Sequence, residues 1–360
     1  MQKNVFIALL VFVFSFTAKA QVENIIVITS DGLRWQELFN GVDTAIANNK
    51  HFNQGDSNYI YKTYWDADPI KSREKVFPFF WKVFTTQGSI YGNRAWNNYV
   101  NVTNPYWFSY PGYNEIFTGY ADSRINSNNF KPNPNTTLLE YLNTLPRFNN
   151  RIAAFGAWEA FDRILNQQRS GLPIFSAFDT VGGKLTPRQQ LINQMLLSSY
   201  KPFKWDECLD VFTHYAAMEY LKLNKPKVLF IGYGETDEWA HHGMYRSYLD
   251  AAFQFDQWVG EIWQYIQTQP EYKNKTALFI TTDHGRGDNL KRQWTSHGQE
   301  IQGANETWFM VLAPGLAAQG EVKSKSQYHT NQFAQTMASL LGETFKAEHP
   351  IGEKIDLNRP

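Results

Sequence analysis

Aspartate and histidine recur where apolar runs stop: Thr29-Ser30-Asp31-Gly32, then Glu235-Thr236-Asp237-Glu238-Trp239-Ala240-His241, then Thr282-Asp283-His284-Gly285, then Ser296-His297-Gly298. Carboxylate oxygens and imidazole nitrogens together suit zinc and similar divalent ions. Cys208 is the single cysteine, so no thiolate cluster competes for a metal. Asp237 and His241 lie four apart, and at the start of a helix that spacing points both side chains the same way, as a shared ligand pair requires. Asp283 and His284 are adjacent at a strand end, where a turning backbone can send neighbouring side chains to two different ions.

Two ions would need a nucleophile, and Ser109 offers one. It opens Ser109-Tyr110-Pro111-Gly112, the start of a short helix closing at Thr118-Gly119. A hydroxyl at a helix start lies where backbone amides and the positive end of the dipole favour a phosphate. One cation would hold the hydroxyl as an alkoxide while the other draws charge from the ester, a clamp expected of ions about 4 Å apart. Taken singly, each element has a plainer account: Asp31-Gly32 is an ordinary turn, and a serine at a helix start is an ordinary cap. His51, His214, His242, His329 and His349 have no strand-end partner and read as structural or surface residues. The conjunction of four signals, in order and at equivalent places, carries the functional reading.

Those places are set by a regular alternation. Short apolar, β-branched runs at 25–28, 151–155, 228–233, 277–281 and 308–312 alternate with helical patterns at 189–200, 211–223, 245–266 and 332–341. This predicts an α/β fold, a three-layer sandwich with a mainly parallel central sheet, in which ligands gather beyond the carboxyl ends of the strands. The aromatic, Asn-rich stretches 51–65 and 91–108 read as irregular loops forming one wall of a cleft. No linker or repeat divides the chain.

The set Asp31, Ser109, Asp237-x-x-x-His241, Asp283-His284 and His297-Gly298 resembles the alkaline phosphatase superfamily, in particular its type I phosphodiesterase and nucleotide pyrophosphatase branch. The resemblance runs from about Asn24 to Leu341. It implies one zinc held by Asp31, Asp283 and His284, a second held by Asp237, His241 and His297, and Ser109 between them. It further implies a phosphoserine intermediate that water then hydrolyses. An Asn beyond the nucleophile would bond a phosphate oxygen, a role that falls on Asn129, with Asn128 and Asn126 close by. Arg163, Lys291 and Arg292 are within reach of phosphate in sequence but read as solvated charge. Superfamily sulfatases carry Arg at the fifth position of the segment that becomes formylglycine; here that position is Tyr113, which speaks against a sulfatase. The interval from Ser109 to Asp237 is too short for the second domain of the cofactor-independent phosphoglycerate mutases.

Composition sets the remaining bounds. Lys3, the apolar run 5–16 and Ala18-Lys19-Ala20 read as a signal peptide over residues 1–20, followed by one metallohydrolase domain over 21–360 that is periplasmic or secreted and has no membrane anchor. Lys3 and Lys19 fall in that leader, leaving 32 basic against 34 acidic residues, a balance that gives no reason to expect a nucleic-acid polymer as partner. The expected partner is a small-molecule phosphate ester, monoester or diester. An inactive secreted metal-binding protein with a glycan- or peptide-binding surface is the reading from a different class, with 12 Trp, 19 Tyr and 27 Phe to build such a surface. Asn101, Asn135, Asn274 and Asn305 each begin a glycosylation pattern.

Overall fold

The computed structural model describes residues 22–288 and 290–358. The leader expected over residues 1–20 lies outside them. Among the described residues there are eleven strands: β1 (Asn24–Ser30), β2 (Ser89–Tyr91), β3 (Asn98–Asn101), β4 (Ile152–Gly156), β5 (Ile174–Ser176), β6 (Val228–Tyr233), β7 (Thr276–Thr281), β8 (Glu306–Thr307), β9 (Phe309–Leu312), β10 (Gly320–Glu321) and β11 (Ser326–His329). Eight of them form one sheet in the order β10-β2-β9-β7-β1-β6-β4-β5, and β11-β3-β8 form a small second sheet.

The run from β7 to β5 is parallel, and β9 enters antiparallel to β7 and β2. Alternation within β1 shows why the sheet is covered twice. Ile26 and Ile28 face one apolar layer, with the Pro78–Gln87, Asp210–Asn224 and Tyr245–Thr268 helices, while Ile25 and Val27 face the other, with the Ser109–Thr118, Leu138–Thr144 and Phe333–Leu340 helices. This is the expected three-layer α/β sandwich. Among the described residues no helix is long and apolar enough to cross a membrane.

Several elements went unrecognised in the sequence. The stretch 51–65 contains the Ser57–Thr63 helix, and 91–108 contains β3, so neither is wholly irregular. Of the glycosylation patterns, Asn135 is buried and its Nδ2 donates to Asp122 Oδ2 at 2.9 Å, which withholds it from modification in the folded chain. His214 is structural, as expected: it is buried, stacks on Trp258 and lies 2.9 Å from the Tyr233 hydroxyl.

The Ser109–Thr118 helix is anchored by one charge. Glu115 is fully buried, and its carboxylate accepts from the backbone and side chains of Thr103 and Asn104, from Thr330 Oγ1 and from Asn331 N, at 2.6 to 3.0 Å. Six donors aimed at two oxygens make a carboxylate, and no neutral group, the fitting occupant. Glu115→Gln places an amide NH₂ against donors and is expected to destabilise the protein by about 2–4 kcal/mol. Urea denaturation checks this, and a change below about 0.5 kcal/mol would contradict it.

Candidate metal centre

Three adjacent strands of the parallel sheet, β7, β1 and β6, deliver the acidic residues to one edge. Asp31 follows β1, Asp283 follows β7, and Asp237 sits in the first turn of the Glu235–His241 helix that follows β6. The chain is pinned where these meet. Thr236 Oγ1 donates to the Asp31 carbonyl at 2.5 Å, and Gly32 N donates to Asp283 Oδ1 at 3.1 Å. Gly32 has φ of 56°, and a Cβ there would collide with Asp237 and Arg286, so only glycine fits between the ligand groups. Gly112 plays a matching part on the Ser109 side: a Cβ there would lie 2.5 Å from the Asp283 carbonyl oxygen, so its absence lets the Ser109 helix lie against the β7 end.

Ser109 is the first residue of its helix, and its hydroxyl makes no capping bond. Instead Oγ stands 3.2 Å from His284 Nε2 and 3.4 Å from Asp31 Oδ1. Trp107, just upstream, has a left-handed φ of 55°, and its carbonyl accepts from Gly298 N at 3.0 Å, drawing the His297 segment to the nucleophile.

Two tight groups result. In the first, His284 Nε2 lies 3.3 Å from Asp31 Oδ1 and 3.4 Å from Asp283 Oδ2, all three residues being buried. In the second, His241 Nε2 lies 2.9 Å from Asp237 Oδ2 and 3.0 Å from His297 Nε2. His284 Nε2 also comes within 3.8 Å of Asp237 Oδ1, which joins the groups. Asp31, Asp283 and His284 offer ligand atoms within 4.8 Å of one another, as do Asp237, His284 and His297. All seven side chains singled out as metal-binding in the sequence therefore converge.

The ring tautomers show that this cluster suits cations. His284 Nδ1 lies 2.9 Å from the Gly285 carbonyl, and His241 Nδ1 lies 3.0 Å from the Thr295 carbonyl. A carbonyl only accepts, so His284 Nδ1 carries a proton and its Nε2 turns toward carboxylates, while His241 Nδ1 lies between the Thr295 carbonyl and Arg286 Nη2, 3.3 Å away, and its Nε2 faces Asp237 and His297. Acceptor atoms packed against acceptor atoms repel unless a proton or a metal ion lies between them. Asp283 Oδ2, buried without a hydrogen bond, makes the same demand. The donor set of carboxylate oxygens and imidazole nitrogens fits a divalent metal ion.

Titration behaviour follows from this crowding. Burial disfavours a charged imidazole, but Asp283, Asp31 and Asp237 outweigh it and push the His284 pKa up to about 9. Asp283 and Asp31 are raised by burial and by neighbouring carboxylates. Burial would raise Asp237 as well, yet Arg286, His241 and His297 hold it well below the usual range.

Asn129 is exposed, and its backbone amide donates to Ser127 Oγ at 3.1 Å. Asn128 is the better placed: its Oδ1 accepts from Tyr110 N at 2.9 Å, at the start of the Ser109 helix. Arg163 and Lys291 are engaged, Arg163 with Glu159 and with the Phe130 carbonyl, Lys291 with Asp43 and Asp288. Arg292 is exposed. Two features had no sequence signal. Arg286 is buried against Asp237, and Asp210 is buried while accepting from Gly234 N and Glu235 N, holding the start of the Asp237 helix. A groove beside His297 is lined by Tyr106, Phe108, Asn126, Gln299 and Ile301.

Without bound ions, a protonated His284 is favoured by the fold. Its contribution to stability is fully present below the ordinary histidine value of 6.5 and is lost as pH climbs through about 9. A cation takes the place of that proton, so zinc addition at neutral pH is expected to release protons and to remove this part of the alkaline destabilisation. Calorimetric titration in buffers of different ionisation enthalpy checks the release, and a buffer-independent heat would contradict it.

The comparisons with known proteins agree with this geometry. A family model described as sulfatase matches residues 105–343. No curated protein matches the chain in sequence. Among solved structures, the lipoteichoic acid synthase LtaP from Listeria monocytogenes shares 11% identity at a TM-score of 0.58, covering 91% of this chain and 74% of that one. Wild-type alkaline phosphatase PafA shares 10% identity at a TM-score of 0.55, covering 93% and 98%. A 2-O GAG sulfatase shares 15% identity at a TM-score of 0.53, covering 90% and 72%. At these identities the likeness is one of fold.

Proposed function

Because the chain belongs to the sulfatase family, within the alkaline phosphatase superfamily of metal-dependent hydrolases, we propose that it is a two-metal phosphoester hydrolase with Ser109 as nucleophile. The observation that carries this reading is the set of imidazole nitrogens and carboxylate oxygens turned on one another around the Ser109 hydroxyl.

In this reading Asp31, Asp283 and His284 hold one ion, and Asp237, His241 and His297 hold the other. The ions, most simply zinc, would supply the positive charge that lowers the serine pKa and draws electrons from the ester oxygens. Ser109 Oγ gives up its proton and attacks phosphorus, the bond to the leaving oxygen breaks, and the departing alcohol takes up a proton. Water then displaces Ser109 from the phosphoserine and restores the hydroxyl. The Asn128 side chain, fixed through Oδ1 by Tyr110 N, keeps its amide nitrogen as a donor for a phosphate oxygen. The groove of Tyr106, Phe108 and Ile301 receives the organic part of the ester.

The charge around the cleft favours a diester. Arg163, Lys291 and Arg286 are each committed to carboxylates, which leaves none of them to neutralise the second negative charge of a monoester. A sulfate ester also carries one charge, and the family description supports that second reading. Tyr113, buried in the Ser109 helix where a formylglycine segment has Arg, weighs against it. The presence of every ligand and of the hydroxyl weighs against an inactive binding protein. Export and release, as the sequence of residues 1–20 suggests, complete the proposal.

Zinc-loaded protein tested on bis(p-nitrophenyl) phosphate, p-nitrophenyl phosphate and p-nitrophenyl sulfate checks this. The bis-ester is expected to give the highest kcat/KM, and Ser109→Ala is expected to lower kcat by about 10³-fold or more. Preferred turnover of the sulfate, or indifference to the alanine, would overturn the proposal.

A further inference from the structure

Arg286 is 1% exposed, and each nitrogen of its guanidinium is bonded. Nη1 pairs with Asp237 Oδ1. Nε donates to the Trp294 carbonyl at 2.7 Å, and Nη2 donates to the Thr295 carbonyl at 2.8 Å. That Thr295 oxygen is also the one 3.0 Å from His241 Nδ1. One planar cation thus touches, directly or through one shared carbonyl, two of the three residues of the Asp237–His241–His297 group. It makes no ion pair with Asp31 or Asp283, which belong to the other group; Asp283 is held by Gly32 N instead. The short Lys291–Thr295 turn that supplies both carbonyls is thereby fixed against the Asp237 helix.

Resting on the two-metal reading above, we infer that Arg286 is a positioning residue for one half of the centre: it occupies Asp237 Oδ1, leaving Oδ2 as the single ligand atom beside His241 and His297, and through Nη2 it holds both His241 Nδ1, 3.3 Å away, and the Thr295 carbonyl against which that ring rests. Two effects oppose each other here. The extra positive charge repels an incoming divalent ion, while the fixed fork removes the freedom of Asp237 to turn away or chelate through both oxygens and keeps His241 Nε2 available. Positioning dominates, because the guanidinium's charge is already neutralised at contact by Asp237, whereas no other side chain among the described residues contacts that oxygen as closely. Groups that orient metal ligands in this way typically account for 10–100-fold in metal affinity. The planar fork is needed, since an ammonium cannot span Asp237 and two carbonyls in one plane.

Zinc titration by calorimetry, with elemental analysis after dialysis, tests this on wild type, Arg286→Met and Arg286→Lys. Melting of the metal-free proteins accompanies the titration. Wild type is expected to bind two ions. Both variants are expected to bind one ion with wild-type affinity and the other about 10–100-fold more weakly. A second ion bound as tightly or more tightly by Arg286→Met would overturn the inference and show that charge repulsion wins. Wild-type behaviour of Arg286→Lys would overturn it in favour of a simple point charge. Equal weakening of both ions in variants that melt like wild type would also overturn it, because Arg286 touches one group alone. Wild-type protein that binds fewer than two ions would overturn the two-metal reading itself, and this inference with it.

Discussion

The structure depends on one electrostatic conflict: three carboxylates and three imidazoles are brought together with their lone pairs facing inward. The sheet places Asp31, Asp237 and Asp283 at the ends of neighbouring strands, where burial makes their mutual repulsion costly. Backbone carbonyls at Gly285 and Thr295 then fix the His284 and His241 rings so that Nε2 adds to the crowding. Such a cluster persists only if something positive resolves it. In the metal-free chain that is a proton on His284 and the guanidinium of Arg286; in the proposed working state it is a pair of ions.

The rest of the fold serves to hold that conflict in place. Parallel β1 and β7 share six aligned residue pairs, as do β1 and β6, which leaves little freedom at the strand ends. Gly32 and Gly112 are small because backbone and ligand atoms occupy the space that side chains would need. Glu115 ties the nucleophile helix to the 103–104 loop and to the segment after β11, so Ser109 is positioned from both sides. Each of these contacts fixes an atom of the Asp and His cluster or the helix that carries Ser109.

Much of this was legible in the sequence, for a physical reason. Strand-end Asp and His residues announce themselves by following apolar runs, and β1, β4, β6 and β7 are long enough to show that pattern. Strands of two or three residues, β2, β5, β8 and β10, are too short to carry a period and were missed. The same limit applies within the site. Asn128 and Asn129 cannot be told apart by spacing, because what selects Asn128 is a bond to the Tyr110 amide that only the folded loop creates. Arg286 looks like a surface charge until the Lys291–Thr295 turn closes over it. Glycosylation patterns fail in the opposite direction, since the Asn135 triplet is correct as a pattern but its side chain is committed inside the fold. The family comparison agrees with the fold and leaves the choice of ester open.

Anomalous diffraction from crystals of zinc-loaded protein tests the central claim most directly. Two peaks about 4 Å apart are expected, one bounded by Asp31, Asp283 and His284, the other by Asp237, His241 and His297, with Ser109 Oγ reaching toward the pair. A single peak, or zinc bound elsewhere while these six side chains stay in hydrogen-bonded contact, would contradict the account.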